Sequence, residues 1–136
     1  MFFNILLSVA NWTPKLEKKE FVERELRRAF NAWSDYSRLK FIKSEDYYNS
    51  DIIISFGSYQ HGDSQPFDGP GLVLAHAYYP YEHDTFGGDI HFDEDENWNP
   101  KAKKEGQGLD FFTVAVCIAF KQQQSAKNVQ IKRPKK

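Results

Sequence analysis

All four histidines of this chain fall in one stretch, His61–Glu96 (HGDSQPFDGPGLVLAHAYYPYEHDTFGGDIHFDEDE), which is also crowded with carboxylates and glycines. His61, Asp63, His76 and His91 offer three imidazoles and a carboxylate, a donor set suited to zinc. Four protein donors fill a tetrahedral shell and leave no position for water. That is the arrangement of structural zinc, whereas a catalytic zinc keeps one position open. Asp68, Asp89, Asp93 and Glu96 stand among glycines whose carbonyls can approach a cation closely, and hard oxygen donors of this kind suit calcium. A polar surface loop with scattered histidines explains any one histidine but not the set as spaced. The stretch therefore predicts a platform built around metal ions.

Donors this far apart in sequence need a rigid frame. Residues 4–10 (NILLSVA) read as a first strand, ended by Asn11 and the Thr13–Pro14 pair. A helix follows. Val22, Leu26, Ala29, Phe30 and Trp33 fall at offsets 0, 4, 7, 8 and 11, one apolar face, with Lys18, Lys19, Glu23, Arg24, Arg27 and Arg28 elsewhere. That face needs a sheet to cover. Leu39–Ile42 reads as a second strand. Asp51–Phe56 is a third, whose continuous apolar run predicts burial on both faces. Residues 58–73 form a loop too long for a mere connection. Leu74–Tyr79 is a fourth strand, stopped by Pro80. In Asp89–Asp93, the fifth, Ile90 and Phe92 alternate with Asp89, His91 and Asp93, so the ligands share one face and the core residues the other. KAKKEGQG is a solvated linker. Asp110 opens a second helix with Phe111, Phe112, Val114, Ala115 and Ile118 apolar, and the pattern fails from Lys121.

With 136 residues, 40% hydrophobic and 16% aromatic, the chain supports one domain with a single core. Residues 121–136 hold six basic residues and no acid. Removing those six from the 18 basic residues leaves 12 against 19 acidic ones, a net −7 for residues 1–120. An acidic body suits bound divalent cations and argues against nucleic acid as a partner. Residues 121–136 read as a basic, disordered tail. Cys117 is the one cysteine, so no intrachain disulfide forms, and it reads as a small buried hydrophobe on the second helix. No apolar run reaches the ~20 residues of a membrane span. The opening MFFNILLSVA ends like a signal-peptidase site, but its apolar core is short and lacks a basic leader.

The motifs NWTPKL, AFNAWSD, SDIIISFGSYQHGD, PFDGPGLVLAHAYYP, GGDIHFDEDENW and LDFFTVAV, in this order and spacing over residues 5–116, resemble the catalytic domain of the matrix metalloproteinases (matrixins, within the metzincins). The resemblance implies an α+β fold: a twisted five-stranded mixed sheet with one long N-terminal helix on its convex side and a second helix on the other. It implies structural zinc on His61, Asp63, His76 and His91. One calcium would take Asp68, Asp93 and Glu96 with the carbonyls of Gly69, Gly71 and Val73, and a second Asp89 with the carbonyls of Asp51, Thr85 and Gly87. His83 matches no ligand position and reads as a loop histidine. Leu74 and Ala75 occupy the edge strand along which family members pair extended peptides. Secretion, extracellular-matrix substrates and metalloproteinase inhibitors as partners follow from the same resemblance.

Metzincins cleave peptides with H-E-x-x-H-x-x-G-x-x-H, three zinc ligands and a glutamate base. Aligned on LDFFTVAV, this motif should begin at residue 117. Cys117 stands there at the first histidine, Ile118 at the glutamate, Lys121 at the second histidine, Gln124 at the glycine and Lys127 at the third histidine. The expectation is a domain cut off before its catalytic motif, without a methionine turn or propeptide and without peptidase activity. Exposed apolar surface is expected near Phe111–Phe120. The second reading is a binding module that holds peptides or inhibitors on the intact edge strand without cutting them.

Overall fold

Alternation in Phe3–Val9 (β1) puts Ile5, Leu7 and Val9 on one face, and all three are buried. β1 pairs in parallel with Leu39–Lys43 (β2) on one side and Ile52–Gly57 (β3) on the other. β3 lies parallel to Ile90–Asp93 (β5), and the short Ala75–Ala77 (β4) closes the sheet antiparallel to β5. The order β2-β1-β3-β5-β4 makes a five-stranded mixed sheet, and two helices complete an α+β fold. The computed structural model describes residues 1–79 and 87–127, with side chains as far as Lys121.

Lys19–Ser34 (α1) buries Val22, Leu26, Ala29 and Phe30, each no more than 3% exposed. The larger of these side chains contribute about 1.5–3 kcal/mol each on leaving water. Phe111–Lys127 (α2) buries Phe111, Ala115 and Ala119, four residues apart and therefore on one face. Both faces join a single core with Ile5, Leu7, Val9, Ile52, Ile54, Phe56, Ile90 and Phe92. The helices also touch each other: Trp33 Nε1 donates to the Val116 carbonyl at 3.1 Å, and the Arg28 guanidinium lies 4.3 Å from the Phe112 ring centroid. Trp98 packs edge-on against Phe92 and Phe111 and donates from Nε1 to the Asp93 carbonyl at 2.7 Å, fixing the exit from β5.

Four expectations are corrected. The helices lie together on one side of the sheet, not on opposite sides, because the sheet has one apolar face; the other carries His76, His91 and Asp89. β3 is fully buried only at Ile52, Ile54 and Phe56, while Ile53 and Ser55 are half-buried under the loop face. Cys117 is exposed rather than a buried hydrophobe. α2 does not stop where the apolar pattern fails but runs on to Lys127, into the segment assigned to the tail. Phe120, 42% exposed, is the large apolar side chain of α2 left open to solvent, while Phe111 is fully covered.

Candidate metal centre

The register of the β4–β5 pair sets His76 directly opposite His91, where side chains on one face are neighbours. His61 and Asp63 arrive from the loop after β3. Gly57, at the end of β3, lets that loop fold back: a Cβ built there would stand 2.6 Å from the His61 Cβ. Phe67, 3% exposed, stacks on both rings brought in this way, 4.4 Å from His61 and 4.6 Å from His76 between centroids.

Four donor atoms converge. The His61 Nε2, His76 Nε2 and His91 Nδ1 atoms are 3.3, 3.1 and 3.1 Å apart, and Asp63 Oδ2 lies 3.0, 2.9 and 2.8 Å from them in turn. Donors at zinc bond lengths of about 2.0–2.1 Å occupy tetrahedron corners about 3.3–3.4 Å apart. The set is a slightly contracted tetrahedron. Its side chains are 6, 0, 12 and 8% exposed for His61, Asp63, His76 and His91.

The surroundings fix the protonation states that a metal requires. His61 Nδ1 donates to the Tyr59 carbonyl at 2.8 Å; because a carbonyl only accepts, Nε2 of the neutral ring carries a lone pair aimed inward. Burial lowers the pKa of His76 and of His91, outweighing the opposite pull of Asp63, so both are held neutral. At Asp63, burial works against the charge, but hydrogen bonds from the Tyr78 hydroxyl, the Gln65 N–H and the imidazoles prevail and hold its carboxyl far below the usual range. The Tyr78 hydroxyl donates to Asp63 Oδ2 at 2.6 Å, and burial beside that carboxylate pushes the phenol up, so it stays a donor. Buried lone pairs on three nitrogens and a carboxylate meet at one point. One cation satisfies them together.

A second acidic group lies at the end of β5. Asp93 is fully buried, and its Oδ1 accepts from the Asp95 N–H at 2.9 Å. Among the described residues, Asp93 Oδ2 and Asp95 Oδ2 are buried without a hydrogen-bond partner. Burial raises the Asp93 pKa, and the charges of Asp95 and Asp68 add to the rise. Glu96, 3% exposed, accepts from the Gly71 N–H at 2.8 Å, tying the loop of Gly69, Gly71 and Val73 to β5. Asp68 acts on Asp93 through its charge and the Glu96 N–H donates to the Asp93 carbonyl at 3.4 Å, and an orphaned buried carboxylate oxygen beside other acids fits a hard cation. Lys15 Nζ donates to the Glu94 and Glu96 carbonyls at 2.8 and 3.0 Å and relieves part of the charge.

The third group is committed differently. Asp51 Oδ2 accepts from the Leu6 N–H at 2.8 Å, and Asp89 Oδ1 from the Ile53 N–H at 3.0 Å. Gly88 (φ +91°) brings its backbone against Asp51; a Cβ there would stand 2.8 Å from the Asp51 carbonyl oxygen. Asp51, Gly87 and Asp89 are therefore adjacent, while Thr85 and the loop histidine His83 lie outside the described residues. Leu74 and Ala75 are half-buried at the sheet edge, and the Leu74 carbonyl accepts from the Asp93 N–H at 3.0 Å, so β4 is held from its inner side. Sequence reasoning passed over Tyr78 and Phe67. Tyr78 had a signal: it follows His76 by two residues in a strand and so shares its face. Phe67 had none.

On α2, Lys121 donates from Nζ to the Ala77 carbonyl of β4 at 3.3 Å and lies 5.4 Å from the Tyr79 ring centroid.

The family profile described as Matrixin matches residues 3–117. The chain is 45% identical over 112 residues to macrophage metalloelastase of Oryctolagus cuniculus, covering 82% of this chain and 22% of that protein. It is 47% identical over 90 residues to interstitial collagenase of Sus scrofa (66% and 18%) and 48% identical over 109 residues to matrix metalloproteinase-18 of Xenopus laevis (79% and 21%). It spans about a fifth of the length of each of these relatives.

Proposed function

The chain belongs to the matrixin family, and from that premise we propose that it is a zinc- and calcium-binding metalloendopeptidase domain that does not itself cleave peptides. The observation that carries the reading is the convergence of His61, Asp63, His76 and His91 to mutual distances of 2.8–3.3 Å. When bound there, zinc supplies a structural cross-link between the loop and the β4–β5 pair, because four protein donors leave no place for a reactive water. Asp68, Asp93 and Glu96, with the carbonyls of Gly69, Gly71 and Val73, would hold one calcium. Asp89, with the carbonyls of Asp51, Thr85 and Gly87, would hold a second.

Hydrolysis needs a metal-activated water and a base. Ile118 has no group to accept a proton, Cys117 is one ligand where three are needed, and Lys121 brings an ammonium to the same helix face. The second reading, a non-cleaving binding module for extracellular-matrix peptides or metalloproteinase inhibitors, is favoured by the position of β4 at the edge of the sheet, where an extended segment can add as a further strand along Leu74 and Ala75. An extracellular location goes with both readings, and no described helix is long and apolar enough to cross a membrane.

Elemental analysis of the purified chain together with a fluorogenic-peptide assay tests the proposal. One zinc per chain, bound calcium and background turnover are expected. Two zincs with turnover that survives Cys117→Ala would refute the absence of catalysis. Saturable peptide binding lost in a β4 edge variant, without turnover, would select the second reading.

A further inference from the structure

β4 is the last strand of the sheet, and its backbone points alternately inward and outward. Inward, the Tyr78 N–H donates to the Asp89 carbonyl and the Asp93 N–H to the Leu74 carbonyl, both at 3.0 Å, with His76 opposite His91 between them. In an antiparallel pair every second residue makes such bonds, so Ala75 and Ala77 turn their N–H and C=O groups away from β5. Among the described residues no strand lies beyond them. The outer edge therefore presents, in order, the Ala75 N–H, the Ala75 carbonyl, the Ala77 N–H and the Ala77 carbonyl. The last of these is met by Lys121 Nζ at 3.3 Å, reaching across from α2.

That cation makes the edge directional. An antiparallel peptide aims one N–H at each of the two carbonyls, and the N–H aimed at Ala77 would meet an ammonium, which only donates. A parallel peptide is offset by one residue. One of its carbonyls accepts from the Ala75 N–H; the residue two further on donates to the Ala75 carbonyl and accepts from the Ala77 N–H. Its next donor would again be aimed at the Ala77 carbonyl. A peptide that ends before that donor escapes the conflict. Its terminal carboxylate puts one oxygen on the Ala77 N–H and the other where the next peptide nitrogen would stand, beside Nζ. Donors then meet acceptors along the whole edge, and the last pair is charge-assisted.

We propose that the edge of β4 binds extended peptides by their free C-terminus, running parallel to β4, with the terminal carboxylate held by the Ala77 N–H and Lys121. The proposal rests on the non-cleaving reading of the domain and supplies its ligand class. Lysine commonly guards an exposed strand edge. Here it bars a peptide from continuing past Ala77 and so reads where the peptide ends, a recognised mode of carboxylate capture. Lys121 is exposed and stands outside the zinc quartet, so it can be replaced without touching the ligands.

A random octapeptide pool made twice, as C-terminal acids and as C-terminal amides, tests this on the immobilised full chain loaded with zinc and calcium. The acids should bind about tenfold more tightly than the amides, the worth of one hydrogen bond to a charged group. Lys121→Gln should erase the preference and Lys121→Arg should keep it. Equal retention of acids and amides by the parent would overturn the proposal while leaving edge binding in place. Retention of neither would overturn it together with the reading it rests on. Titration with the best-retained acid should shift the Ala75 and Ala77 amide resonances. A nitroxide on that peptide's N-terminus should broaden the Leu74 amide more than the Tyr79 amide, and the reverse order would overturn the parallel direction and with it the proposal.

Discussion

Replacing Tyr78 with phenylalanine isolates the support of the zinc quartet from its ligands. The ring contacts with His76 and His91, 5.5 and 5.7 Å between centroids, survive, so the change opens no cavity. It removes the hydroxyl 2.6 Å from Asp63 Oδ2. A hydrogen bond to a charged group contributes about 1.5–3 kcal/mol, and loss of a group that orients a metal ligand lowers affinity about 10–100-fold. At about 1.4 kcal/mol per factor of ten, the two estimates agree. Without the phenol the carboxylate becomes more basic and, held on its other oxygen by the Gln65 N–H alone, turns more readily away from the three imidazoles. In a site this buried, loss of orientation is the larger effect. Competition against a chromophoric chelator should show zinc affinity down by that factor, with the melting temperature restored in excess zinc. The Asp63 carboxyl should also titrate closer to the usual range, shifting the acid limit of zinc binding to higher pH. Zinc affinity within twofold of the parent would refute the assignment of Tyr78 as the group that holds Asp63.

Exhaustive chelation should remove far-UV circular dichroism and the thermal transition, since structural zinc supplies about 10–16 kcal/mol against a net domain stability of about 5–15 kcal/mol; an unchanged melting curve would show the platform stands without metal. Calcium at 100 times its dissociation constant should stabilise the parent by about 2.7 kcal/mol. Asp93→Asn should abolish that gain in calorimetry while raising stability in calcium-free buffer, because it removes a buried charge crowded by Asp95 and Asp68. Gly88→Ala should cost about 1–3 kcal/mol in urea titration, as its φ is +91° and the new methyl meets the Asp51 carbonyl. Acid should weaken zinc binding. His76 and His91 have folded pKa values below their unfolded ones, so their contribution is complete above about pH 6.5 and is lost as pH falls through the lower folded values. Equilibrium dialysis across pH 5–8 should show a plateau and then an acid decline, and an affinity that rises on acidification would contradict the neutral-imidazole assignment.

The quartet was legible because imidazole and carboxylate are scarce and their spacing is informative: His76 and His91 lie on strands whose alternation can be read directly. The five strands were legible for the same reason, with ends displaced by a residue or two at Asn4, Leu74 and Asp89. What escaped depends on the third dimension. Periodicity says that α1 and α2 each have an apolar face but not which side of the sheet receives it, and only the polar crowding around His76 and His91 decides that both share the other side. The solvent exposure of Cys117 follows from that placement. Phe67 gives no warning in the sequence because an aromatic in a loop has no period, and its stacking between His61 and His76 exists only once Gly57 lets the loop fold back.

β4 covers three residues and, among the described residues, has a strand neighbour on one side alone. So few rungs scarcely distinguish the native alignment from one slid along β5. Sliding by one residue would turn an alanine methyl toward the ion in place of the His76 imidazole; sliding by two would carry the ring about 7 Å away. Under the proposed function the metal would serve as a proofreader of strand alignment, accepting one pairing and rejecting its neighbours. On the second reading, the edge available to a peptide would be in the correct frame only in zinc-loaded chains.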